Sequence, residues 1–218
     1  MNAPIVRPLL RGYVHAVAAV LSVFGGAYLV VLSSSDPPRL LSMLVYGTGL
    51  TLLFAVSAVF HLHAWGPVPA AILRRLDHAS IFVLIASTYT PIAVNLLSGA
   101  WRLGVLVVIW ALAAAGAAIA ATGVQLARWL RVAVYIAMGW IAGAAIGHIE
   151  PALPAGATAA LVTGGLLYTI GAVLYALRWP DPWPLVFGYH EIFHVLTIVA
   201  AAVFYTLIVA YVVPAPRP

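Results

Sequence analysis

The chain has 218 residues, of which 65% are hydrophobic and only 7% charged. A water-soluble domain carries about 25% charged residues, so a water-facing globule is excluded and the chain reads as an integral membrane protein. Its formal charge of +5 rests on ten arginines, with no lysine and no cysteine. The arginines stand singly or in pairs between apolar runs, which excludes a nucleic-acid footprint. The missing cysteines exclude disulfides and thiolate metal ligands.

Apolar runs of about 20 residues match the length that crosses a bilayer as a helix. They predict an all-α, seven-transmembrane bundle forming a single membrane domain over residues 1–218. The alternating strands of a barrel are absent. The first span, Tyr13–Leu32, follows Arg7 and Arg11 and is too long for a signal-peptide core. After "SSSDPPR" comes Leu40–His63, and after "AWGPVPAAILRR" comes Asp77–Leu97. Pro91 should kink that third span, with Thr88 or Thr90 taking up the freed carbonyls. Leu103–Ala121 carries the small-residue run "ALAAAGAAIAA". Leu130–Ile149 repeats Gly139, Gly143 and Gly147 at every fourth position, which predicts close helix contact. Ala157–Leu177 and Tyr189–Val213 complete the set. Aromatic residues at the span ends (Tyr13, Trp65, Trp101, Trp129, Trp179, Trp183) fit interfacial belts.

The arginines predict orientation. Arg7, Arg11, Arg74, Arg75, Arg128, Arg131 and Arg178 fall on one side of a seven-span chain, and Arg39, Arg102 and Arg217 on the other. The positive-inside rule then puts the N-terminus in the cytoplasm and the C-terminus outside.

This topology gathers the polar residues. The second span ends "VSAVFHLH", the third begins "RRLDHASIF" and the seventh begins "GYHEIFH", so His61, Asp77, His190 and His194 lie at one depth near the cytoplasmic face. Ionisable groups within a membrane usually face a partner or a cavity. His190 and His194 are four apart and share a helix face, as do Ser57 and His61. Three imidazoles and a carboxylate could surround one divalent ion, and without sulfur donors zinc is the metal indicated. Haem ligation by the histidine pair, or a set of separately hydrogen-bonded interfacial histidines, would also explain the spacing. His148 falls on the opposite side. His15, His63 and His78 read as interfacial. Glu191 reads as a proton carrier, an acceptor beside the ligands, or a salt-bridge partner of a loop arginine.

The order "SAVFH", "LRRLDHASIFVLIASTYTPIA" and "FGYHEIFHVLTI" resembles the hemolysin III family, the bacterial branch of the progestin and adipoQ receptor superfamily. The resemblance covers the whole chain and implies a seven-helix bundle with a cytoplasmic N-terminus in a bacterial inner (plasma) membrane. It implies Zn2+ held by His61, His190 and His194, with Asp77 reaching the ion through water and Ser57 beside it. Phe60 replaces the tyrosine usual before the first histidine, which removes a hydroxyl but no ligand.

Three protein ligands leave one zinc position open, as in catalytic sites. With Asp77 as general base and Ser57 supporting an oxyanion, the site would suit hydrolysis of a lipid amide or ester, a ceramidase-like reaction. The partners expected are membrane lipids and a lipid-like substrate or ligand. A second class stands beside this one: a receptor-like or lipid-homeostasis protein with structural zinc, or a pore-forming, cytolytic one.

Overall fold

The computed structural model describes residues 10–143 and 154–218. Among these the chain forms seven helices and no strand: α1 Tyr13–Ser33, α2 Pro37–Leu62, α3 Pro67–Leu96, α4 Gly99–Thr122, α5 Arg128–Gly139, α6 Ala155–Leu177 and α7 Tyr189–Leu207. A π-helical turn, Ile208–Val212, prolongs α7. All but α5 are long and apolar enough to cross a membrane. The described part of α5 has 12 residues, too few to span a bilayer at 1.5 Å per residue. Residues 144–149 of the expected fifth span, with Gly147, His148 and Ile149, lie outside the described residues, as does Arg7.

Two helices begin earlier than their hydropathy suggests, for one reason. Pro37 and Pro67 each occupy the first turn of a helix, where a missing N–H removes no intrahelical bond. At α2 the Asp36 carboxylate accepts from the Arg39 amide at 3.3 Å, the usual role of an N-cap acid. At α3 the shift is larger: "PVPAAILRR" is helix rather than loop. Asp77 therefore sits nearly three turns into α3, and Arg74 and Arg75 project from the same helix.

Helix α3 is the axis of the bundle, packed by α2, α4, α5 and the π-helical turn. Of its most apolar stretch 72% is buried, against 17% for α4. Its contact with α4 depends on Gly116, where a Cβ would collide with the Phe82 ring. The small-residue run of α4 thus does permit close approach.

The glycines of α5 act otherwise. No atom of the described residues lies within 4 Å of where a Cβ would stand on Gly139 or Gly143, so these two glycines mark no tight helix contact among the described residues. Instead α5 ends at Gly139, and the Tyr89 hydroxyl of α3 serves the broken end. Its one proton is shared between the carbonyls of Met138 and Gly139 (3.1 and 2.7 Å), and it accepts from the Ala142 amide at 2.7 Å. The Pro91 expectation also needs correction. The Thr88 and Thr90 hydroxyls donate to Leu84 and Ala86, not to the Ser87 carbonyl whose amide partner Pro91 lacks.

Candidate metal centre

The site forms where α2 ends and α7 begins. Gly188 is the N-cap of α7, and its amide donates to Glu191 Oε2 at 2.9 Å. The other oxygen of Glu191 accepts from Arg11 Nε at 2.8 Å. Glu191 is fully buried, so of its three readings the salt bridge is the one the structure displays, combined with a helix cap. This fixes the first turn of α7 and leaves His190 and His194 facing the last turn of α2.

There His61 meets them. His61 Nε2 and His190 Nε2 are 3.3 Å apart. The ring of His194 lies 4.5 Å from that of His190 and 5.1 Å from that of His61, between centroids. One ligand atom from each of the three falls within 4.8 Å of the others. Asp77 Oδ2 approaches His61 Nε2 at 3.9 Å, and the buried Ser57 side chain faces the Asp77 carboxyl.

The donor set fits a metal ion. Tetrahedral coordination at about 2.0–2.1 Å places two nitrogen ligands about 3.3 Å apart, which is the His61–His190 separation. Among the described residues the buried His194 Nδ1 has no hydrogen-bond partner, so no acceptor on that nitrogen fixes the ring. A ligand sphere of three imidazoles, with a carboxylate close by, suits a borderline divalent ion able to polarise a carbonyl or water.

A fourth imidazole joins the cluster. His15 of α1 is 2% exposed and stacks on His194 with centroids 3.8 Å apart and planes 15° from parallel. Imidazole lone pairs lie in the ring plane, so two stacked rings cannot both aim at one ion. His15 packs the face of His194 rather than extending the ligand set. Sequence spacing of metal ligands did not mark it. The available signal was a stripe: His15, Ala18, Ser22, Leu29 and Ser33 are the buried residues of α1, one helical face that starts with this histidine.

The other two described histidines are not part of the cluster. His63 is exposed against Trp65. His78 lies one residue beyond Asp77, and its carbonyl accepts from Tyr135.

A cavity of about 290 Å³ opens beside the cluster, reaching His15, Ser57, Asp77, His190 and His194 at one end and apolar residues of α3, α5 and α6 along its length. Tyr175 forms one wall: its ring meets His190 edge-on, 5.5 Å between centroids, and carries the Arg128 guanidinium 5.3 Å from its centroid.

Residues 4–205 match the family model described as Haemolysin-III related. The chain is similar to the hemolysin-3 homolog of Bacillus subtilis (strain 168), at 27% identity over 204 residues covering 93% of this chain and 92% of that protein. It is similar to the monocyte to macrophage differentiation factor of Homo sapiens, at 29% over 216 residues, 94% and 84% of the two chains. It also resembles the heptahelical transmembrane protein ADIPOR2 of Oryza sativa subsp. japonica, at 31% over 194 residues, 76% and 79% of the two.

Proposed function

Because the chain belongs to the haemolysin-III related family, and its histidines converge beside a long apolar cavity, we propose that it is a zinc-dependent hydrolase of a lipid amide or ester. In this reading it is one seven-span domain of the bacterial inner membrane, with its N-terminus in the cytoplasm and a role in membrane-lipid homeostasis. The observation that carries the reading is the three-histidine cluster with Asp77 at 3.9 Å from His61.

His61, His190 and His194 would hold the zinc, which when bound supplies Lewis acidity at neutral pH. Asp77 takes and returns the proton, since among the described residues it is the carboxylate beside the cluster that no arginine side chain holds in a salt bridge. Ser57 donates its one hydroxyl proton to the Asp77 carboxyl and so holds it in place beside the ligands. The apolar walls around Leu84, Ile85 and Ile136 accept an acyl chain and exclude bulk water, which strengthens every electrostatic interaction at the buried end.

The test is Asp77→Ala. It is expected to keep zinc and lose hydrolysis of a lipid amide by at least about a hundredfold, the range of a general base. Unchanged turnover at full zinc occupancy would refute the hydrolase.

One feature favours a structural role for the same ion. Apart from the histidines, α2 and α7 make few contacts with each other, so a metal would join two helices that otherwise meet mainly through α1. On that reading Asp77→Ala changes neither turnover nor zinc content, and chelation lowers the melting temperature.

A further inference from the structure

A second cavity, of about 140 Å³, lies between α3, α4 and α5. Arg74 and Arg75 of α3 and Arg131 of α5 line it, its remaining walls include Phe82, Ile119 and Val134, and none of its lining residues is acidic. Among the described residues Arg74 and Arg131 make no hydrogen bond or salt bridge, and Arg75 spends only Nη1, on the Ala121 carbonyl at 3.2 Å. Asp77 faces the histidine cluster and lies within electrostatic reach of Arg131. Most of the donor capacity of three guanidinium forks is therefore open.

The cavity is shaped to seat those groups. Gly123 ends α4 with φ 79°, and a Cβ there would collide with the Arg75 guanidinium. Glycine thus serves both the left-handed turn and the close approach of the arginine. The apolar wall is graded: Phe82 is deeply buried, whereas Ile119 and Val134 are 47% and 38% exposed on the outer surface of the bundle. A ligand with an anionic head and an apolar tail would meet both surfaces. Guanidinium forks favour phosphate oxygens in particular.

We propose that this cavity binds the phosphate of an anionic lipid headgroup, with an acyl chain running along Ile119 and Val134 into the bilayer. It requires no metal and no chemistry at the histidine cluster, so it stands or falls separately from the hydrolase. Free inorganic phosphate shares the headgroup chemistry and is the alternative source.

The experiment is native mass spectrometry of the full chain in detergent, with phosphatidylglycerol, phosphatidylcholine or inorganic phosphate added. Wild type is expected to retain phosphatidylglycerol about tenfold better than phosphatidylcholine, the scale of one or two basic side chains acting on an anionic lipid. Arg75→Gln is expected to lose most of that preference, while Arg178→Gln, which removes an arginine outside the cavity, keeps it. Arg74→Gln, at an exposed position without a partner, gives the same reading if Arg75→Gln fails to fold. Equal retention of the two lipids by wild type, or equal loss in Arg75→Gln and Arg178→Gln, overturns the proposal. Binding of inorganic phosphate with no retention of phosphatidylglycerol assigns the cavity to the free anion and overturns the lipid.

Discussion

His194 is held in an unusual way for a candidate metal ligand. Ligating histidines are ordinarily oriented by an acceptor on the second ring nitrogen, and loss of that acceptor costs about 10–100-fold in metal affinity. With Nε2 as the ligating atom, Nδ1 is that second nitrogen; among the described residues it has no hydrogen-bond partner, and the His15 ring lies flat against the His194 ring instead. His15→Ala is therefore expected to weaken zinc binding about tenfold in chelator competition, and His15→Phe, which keeps a flat ring, to retain it. Equal losses in the two variants would contradict orientation by stacking. The same imidazoles must be neutral to bind metal, so occupancy should be full at neutral pH and fall as acid protonates them below the ordinary histidine pKa of about 6.5. Metal analysis showing occupancy unchanged by acid until the chain unfolds would count against a three-histidine site. At this scale the sequence was informative wherever two polar residues shared a helical face, as in His190 with His194 and Ser57 with His61. His15 was hidden because a lone histidine near the end of an apolar helix carries no spacing to interpret.

Between helices, packing follows from single small or polar groups. Gly116→Leu would drive a side chain into the Phe82 ring at the α3–α4 contact, and overpacking of this kind costs about 1–3 kcal/mol. Thermal unfolding in detergent should show that loss, with part of it regained in Gly116→Leu/Phe82→Ala. Tyr89→Phe would leave the Ala142 amide and the Gly139 carbonyl without their shared partner, costing about 1–3 kcal/mol for groups left unsatisfied inside the bundle. An unchanged melting temperature would mean that water or backbone rearrangement serves that end of α5. Helix existence was legible from hydropathy, but helix starts were not. Proline reads as a breaker in a hydropathy scan, yet in a first turn it costs no hydrogen bond, and so α3 begins at Pro67 rather than Asp77. The α5 glycines misled for a related reason. Small residues every fourth position signal close packing only if a partner helix is there, and the sequence does not reveal whether one is.

For the whole molecule, composition alone determined the solvent, and six membrane-length helices agree with it. The proposed orientation is testable because the chain has no cysteine. Arg178→Cys should be labelled by an impermeant maleimide only in inverted vesicles and Arg217→Cys only in right-side-out ones, and the reverse pattern would contradict the proposed orientation. The convergence of α2 and α7 on one ion is the claim on which the function depends. Its most direct test is the metal content of the detergent-purified full chain beside His190→Ala. About one zinc per wild-type chain, largely lost in His190→Ala, is the expected result. A wild type that takes up no zinc when supplied with it, or a variant that holds as much as wild type, would contradict the account.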